Sequence, residues 1–376
     1  MLRPYTPARH QQLRCHVQIE CAQTCYVKIG PHEIDRHTST WFDVYNELTD
    51  HDNSEHFGLN KHVAKKTYLR SNSNKLPKLD LNIPLQFWFN RNPGMALPIC
   101  ALTQSEVKLH FKFRAINTLI NKSANLGGPI TLKDPIVKLY ADYVYLSSEE
   151  KRRFTHKPLE YLIETLQVLP DKILQNNVKL EFSHPVKELI WIMNNTNRLT
   201  STDALAEGVT VDASLNSAIS KVNDTFQDGN QSNDYFNYLP GSVNTSTINN
   251  KIKDLGQYAG SNITEWFDIV TLKLNGSERS PKRNPYYYRH VQPLQAKHKV
   301  PYKHIYLYSF ALTPEEYSPS GTCNFTHVSS AELLFTTING IDQNEANTNS
   351  KRITIFAVTY NILRISSGRG GIAYSN

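Results

Sequence analysis

Apolar residues recur along this chain at two spacings, and the spacing of two predicts most of its elements. In the run 305–312, Ile305, Leu307, Ser309 and Ala311 fall on one side of a ribbon, and Tyr306, Tyr308, Phe310 and Leu312 on the other. Neither side is wet. The strand must therefore be covered on both faces and is expected inside a layered β structure, away from its rim. The run 353–365 has the same character, with Ile353, Ile355, Ala357, Leu363 and Ile365 set against Phe356, Val358, Tyr360 and Ile362. A half-buried strand is predicted over 106–113, where Val107, Leu109, Phe111 and Phe113 alternate with charged residues and His110. Further strands are expected at 15–29, 79–89, 97–102, 136–146, 178–182, 189–193, 266–274 and 331–335, with turns at Gly30-Pro31 and Asn275-Gly276.

The helical spacing appears twice. Trp41, Val44, Tyr45 and Leu48 predict a short helix capped by Thr40, with Asp43 and Glu47 on its polar side. Ser147 to Glu150 reads as a second helix start, and beyond Pro158 the recurrence of Leu159, Leu162, Ile163 and Leu166 predicts a helical bridge. Thr313-Pro314-Glu315-Glu316 reads as a cap and short helical turn that Pro319 and Gly321 end, after which Cys323 and Phe325 re-enter the sheet. Residues 50–78 and 194–262 are polar loops, the second with room for a helix around 215–226, and the ending SSGRGGIAYSN is expected to run as a surface loop. The fold class is all-β. Its two strand-rich halves are residues 1–157 and 173–376, joined by a linker at 158–172.

Composition changes this picture little. The chain has 376 residues, 39% hydrophobic and 20% charged, with 20 Tyr and 15 Phe, a balance that favours strands and excludes disorder of the whole chain. That length accommodates two ordinary domains. A net charge of +7 is modest for this size and its basic residues are scattered, which argues against a dedicated nucleic-acid binder. Five cysteines, Cys15, Cys21, Cys25, Cys100 and Cys323, are an odd number without paired spacing and predict a reducing compartment. The first residues carry charge with no apolar run behind them, unlike a secretory signal, and no stretch of about 18 apolar residues would span a bilayer.

Several short motifs suggest chemistry, and each has a plainer reading. Gly368-Arg369-Gly370-Gly371-Ile372-Ala373 fits a dinucleotide fingerprint but lacks the helix and βαβ unit that fingerprint needs. His32 and His37 miss the i, i+4 spacing of a helical zinc pair, so a solvated turn is expected. Asp50 to Glu55 has the oxygens of a cation loop without its glycine. Lys151-Arg152-Arg153, and the basic run 279–299 with Tyr286, Tyr287 and Tyr288, are candidates for phosphates and stacked bases, although such runs usually form solvated faces. Cys15, Cys21 and Cys25 lie in a strand pattern where buried thiols are structural. Asn223, Asn244 and Asn262 head glycosylation triplets that, with no secretory signal, are compositional. No hydrolase elbow, P-loop or kinase set occurs. The sequence therefore nominates no catalytic, cofactor-binding or metal residue, and no enzyme is expected.

Tyr308 to Phe325, YSFALTPEEYSPSGTCNF, resembles a motif near the C-terminus of the major capsid proteins of nucleocytoplasmic large DNA viruses, the group holding the iridoviruses and phycodnaviruses. Residues 137–143 (VKLYADY), with 150–154 and 160–167, are similar to a second signature of that family, 182–191 (FSHPVKELIW) to its neighbour, and 353–376 to its last strand and ending. The resemblance implies a double jelly roll, two eight-stranded antiparallel sandwiches side by side, three chains of which build a pseudo-hexameric capsomer of an icosahedral shell. It implies a homotrimer, contacts with neighbouring capsomers and minor capsid proteins, and room for an internal viral membrane on the inner face. It requires no cofactor, no metal and no specific nucleic acid. Synthesis and assembly fall in the host cytoplasm, the finished protein in the virion, and the loops 50–78 and 194–262 supply intersubunit contacts and outer surface. Two features depart from the family. Its members open with further strands before the segment equivalent to Gln18 to Ile34, so the first jelly roll is expected to lack its leading strands and expose an edge, as in a truncated product or a paralogue that only decorates the shell. Arg369 stands where the family often has an apolar residue. The rival reading is a β-sandwich carbohydrate-binding module with exposed tyrosines as stacking platforms.

Overall fold

The computed structural model describes residues 14–15, 22–49, 83–113, 137–195, 238, 265–301, 303–336 and 351–374. In the first half lie strands β1 (Arg14–Cys15), β2 (Ala22–Ile29) and β3 (His32–Thr38), helix α1 (Ser39–Thr49), strand β4 (Ile83–Pro84), helix α2 (Trp88–Arg91) and strand β5 (Val107–Phe113). Helix α3 (Ser148–His156) leads into β6 (Leu159–Ile173), β7 (Asn177–Lys179) and β8 (Pro185–Asn195). After these come β9 (Val270–Leu274), β10 (Ser277–Arg283), a π-helical turn at Tyr287–Val291, helix α4 (Gln292–Gln295), β11 (Ile305–Ser309), β12 (Cys323–Asn324), β13 (Ala331–Phe335), β14 (Lys351–Ser366) and β15 (Arg369–Ile372).

Every described pairing is antiparallel. The central strand is β14. One of its edges pairs with β6 from Arg352 opposite Ile173 to Ile365 opposite Leu159; the other pairs first with β8 and then with β15. The far edge of β8 carries β11 and, beyond it, β12. A four-stranded sheet in the order β10-β9-β13-β7, a three-stranded sheet in the order β3-β2-β5 and the short pair β1-β4 complete the set.

Three apolar clusters lie between these layers. The largest fills the space between the six-stranded and four-stranded sheets with Trp191, Trp266, Tyr306, Leu333 and Ile355 among its residues. A second joins β2 and β3 to the far ends of β6 and β14, bringing Val27, Ile29, Ile163, Leu363 and Ile365 together over Phe87 and Trp88. The third covers the opposite face of the six-stranded sheet with α1, whose Trp41, Val44, Tyr45 and Leu48 rest on Ile190, Leu307 and Phe356. An 11-residue helix is marginal in isolation, and burying those four side chains, roughly 1.5–3 kcal/mol each, is what holds it.

The all-β, antiparallel architecture with short helical insertions agrees with the pattern of the sequence, and so do the helix starts: the Thr38 hydroxyl accepts from Trp41 N at 3.2 Å, and Ser147 and Glu150 form a reciprocal capping box. Several expectations are corrected. The predicted helix beyond Pro158 is the 15-residue strand β6, because its middle is covered on both faces and a two-sided apolar run fits a helical period equally well. Residues Ile99–Ala101 form a single 3-10 turn instead of a strand, following Pro98, and 137–146 form no regular strand, with Val144 and Tyr145 facing solvent. Asp43 and Glu47 are buried, not on a polar side. Thr313 to Glu316 makes only a turn, closed by Glu316 N to Thr313 O at 3.2 Å. The glycine-rich ending is not a surface loop; it is strand β15. His32 to His37 lies in strand β3 and not in a solvated turn. β11 is covered on both faces as expected, yet among the described residues it stands at the rim of its sheet's strand order.

Candidate functional site

The feature that organises the chemistry is the pair β6 and β14, which lines two cores in turn. On one face of β14, Ile353, Ile355 and Ala357 belong to the largest core and Leu363 and Ile365 to the second. Between them stand buried Thr359 and Asn361, opposite which β6 places Thr165. Around this polar waist the groups satisfy one another. Thr165 and Thr359 share a hydrogen bond of 3.0 Å, Asn361 Nδ2 donates to Tyr374 O at 2.8 Å, and Gln167 exchanges bonds of 3.0 and 3.1 Å with the Ser183 backbone. Buried polar groups are affordable only when paired in this way.

On the other face a charged cluster ties three elements together. Glu164 of β6 accepts from Arg91 of α2 at 2.8 Å and from Lys187 of β8, whose side chain is 2% exposed. Arg91 also donates to the Tyr45 hydroxyl at 3.0 Å, and Lys187 lies 5.5 Å from the Tyr360 ring centre. Burial pushes the Tyr45 and Tyr360 hydroxyls above their ordinary pKa, so both stay neutral donors. Next along β8, Glu188 meets His298 Nε2 at 2.8 Å, and His298 Nδ1 meets Glu315 at 2.6 Å. Burial alone would depress this imidazole's pKa, but the two carboxylates outweigh it and push it up to about 9. The same contacts hold the Glu188 carboxyl below its usual range against its own desolvation. Two more buried carboxylates act as struts. Asp35 accepts from Leu166 N at 2.9 Å, tying β3 to β6, and Asp43 of α1 takes Lys303 at 2.5 and 2.7 Å and the Tyr238 hydroxyl at 2.8 Å.

The motifs singled out in the sequence do not come together. His37 is buried, paired with Asp35 at 2.9 Å and stacked on Phe87, while His32 is exposed at the strand start. Cys25 packs in the second core. Lys151, Arg152 and Arg153 lie on an exposed helix where Arg153 pairs with Glu149 at 2.7 Å. The tyrosine triplet is split: Tyr288 is fully buried with its hydroxyl 2.7 Å from Ser280, whereas Tyr286 is 48% exposed, so the three do not make one platform. Nearby Arg289 is buried against Glu265. The ending Gly368 to Ala373 is the hairpin strand described above, with Arg369 Nε donating to Gln104 at 3.1 Å. Asp50 to Glu55, Asn223, Asn244 and Asn262 lie outside the described residues, as do the side chains of Cys15 and Cys21. Among the described residues, no group of three or more His, Cys, Asp or Glu is placed to hold a metal ion, and no helix is long and apolar enough to cross a membrane. Sequence reasoning missed Glu164, Lys187, Glu188 and His298. A signal was available: Lys187-Glu188 interrupts the apolar strand VKELIWIM, and charges inside a buried strand imply partners.

Two antiparallel sandwiches braced by a shared pair of strands, with their buried ionisable groups engaged in struts between elements, define a structural β-sandwich protein. The chain belongs to the large eukaryotic DNA virus major capsid protein family, whose model matches residues 150–371; a model of the major capsid protein N-terminus matches residues 10–147. It is 32% identical to the major capsid protein of Phaeocystis pouchetii virus over 93% of this chain and 80% of that one. To the major capsid protein of Paramecium bursaria Chlorella virus 1 it is 31% identical, over 95% and 79%. The quasi-atomic model of the PBCV-1 virus capsid matches with a TM-score of 0.64 at 27% identity, covering 98% of this chain and 87% of that one. The Faustovirus major capsid protein shares the fold, with a TM-score of 0.59 at 12% identity over 95% and 74%. The fold is the double jelly roll that the resemblance implied, and the protein is a structural component of the viral capsid.

Proposed function

We propose that this chain builds shell by self-association, three copies forming a pseudo-hexameric capsomer that tiles against its neighbours. The observation supporting this most directly is the shared wall: β6 and β14 each line both sandwich cores, so the two lobes form one rigid block suited to repeated lateral packing. On this reading the first lobe takes in residues 1–157 and the second 173–376. The joining segment 158–172 is a strand common to both, and the last strands of the chain help to close the first lobe. Minor capsid proteins and an internal viral membrane are its further partners, the host cytoplasm is where it is made and assembled, and it turns over no substrate. Size-exclusion chromatography with light scattering on the purified full chain tests the proposal. A mass of three chains is expected; a stable monomer throughout the micromolar range overturns it.

A further inference from the structure

The corner between β11 and β12 is braced more heavily than a turn requires. Both strands pair with β8, Ser309 opposite Glu188 and Cys323 opposite Val186, so residues 310–322 leave the sheet rim and return close to where they left. Phe310 N and Ala311 N donate to Lys187 O at 2.9 and 3.2 Å, Leu312 N to Ser320 O at 3.3 Å and Thr313 N to Ser320 Oγ at 3.0 Å. His298 anchors Glu315 from below. Gly321, at φ +140°, closes the corner where a Cβ would lie 2.6 Å from Phe310 O. Helix α4 and the residues after it run alongside, through Ser309 N to Gln292 Oε1 at 3.1 Å and Lys297 to Glu316 at 3.8 Å. These two fixed segments hold three large apolar side chains in solvent: Leu312 is 74% exposed, Leu294 68% and Tyr317 47%. On a rigid support such side chains can be buried by a partner with little further ordering cost.

We propose that residues 310–322 together with Leu294 form a docking knob that a second copy of this chain covers. The inference rests on the shell-building reading above. Charge identifies the occupant: flanking Lys297 and Glu316 neutralise each other, so the patch offers no field to a polyanion or an anionic bilayer. An apolar centre with mixed signs around it is instead how protein contacts are arranged. The knob also stands beside β11 at the rim of its sheet, so a copy reaches it without displacing any described strand, and the most abundant neighbour of a capsid protein is itself.

The test compares the full wild-type chain with a Leu312→Ser, Tyr317→Ser double variant and with Ile99→Ser, an exposed apolar position outside the knob (53% exposed). Assembly is followed by light scattering against concentration, and amide hydrogen exchange is read across 310–322. Wild type is expected to assemble with a gain in protection over those residues, the double variant to need at least tenfold higher concentration at an unchanged Tm, and Ile99→Ser to behave as wild type. If wild type assembles but the double variant does so at the same concentration, or the knob amides gain no protection, the knob is refuted and the shell-building reading survives. If wild type never assembles, that reading fails and the knob with it. Should the double variant misfold, the exchange data on wild type decide the question alone.

Discussion

Thr165 and Thr359 face each other across β6 and β14, hydroxyl to hydroxyl at 3.0 Å, where the lining of one sandwich stops and that of the other begins. The Thr359 hydroxyl also donates to Thr165 O at 3.1 Å, leaving the Thr165 hydroxyl to donate to Thr359. Replacing Thr359 alone by Val strands a hydroxyl in a dry site and is expected to cost about 1–2 kcal/mol. The double Val variant should recover most of that loss, since removing both partners leaves nothing unsatisfied. Urea unfolding of the three variants checks this; strictly additive losses would show that the two hydroxyls do not serve each other.

Adjacent glycines in β15 carry opposite expectations. A Cβ on Gly370 would meet Leu102 Cδ2 at 2.8 Å and Ile29 Cγ2 at 2.9 Å, whereas one on Gly371 meets nothing closer than His32 Cδ2 at 3.7 Å. Gly370→Val should therefore destabilise by roughly 1–3 kcal/mol through overpacking, and Gly371→Ala should stay within about 0.5 kcal/mol of wild type. Thermal melts of the two variants side by side decide it, and equal losses would remove the packing argument.

The His298 clamp makes stability depend on alkaline pH. Its folded-state pKa of about 9 lies above the ordinary 6.5, so the stabilisation is complete below about 6.5 and is lost as pH rises through about 9. Deprotonation also leaves buried Glu188 with a neutral neighbour, though Lys187 and Arg91 still act on it. Between pH 7 and 10 the wild-type protein should lose on the order of 2 kcal/mol from this group. His298→Gln should start less stable and show a flatter profile over the same range. A variant profile parallel to wild type would assign the alkaline loss to other groups.

How far the chain could be read in advance follows from where each signal resides. The two-faced apolarity of 305–312 reports burial directly, and β11 is covered on both sides as expected. In β6 the same property misleads, because Leu159, Leu162, Ile163 and Leu166 satisfy a helical period only by combining residues from both faces of a strand. Gly370 looked like a loop residue because a sequence cannot display that Ile29 and Leu102 press against it. The charged struts were hidden for a related reason: Glu164 and Lys187 are 23 positions apart, and Leu166 and Asp35 are 131 apart. Their pairing is a product of topology, which local spacing does not encode.

The closure of the second core by Leu363, Ile365 and Gly370 over Val27 and Ile29 has a consequence for biosynthesis. A ribosome must translate well past residue 363 before the lobe begun at residue 22 obtains its last wall, so the N-terminal half emerges with an incomplete interior and waits for most of its length to be synthesised. Such distant pairings fold slowly and leave apolar surface bare in the interval, which makes the nascent polypeptide a client for chaperones until its final strands arrive.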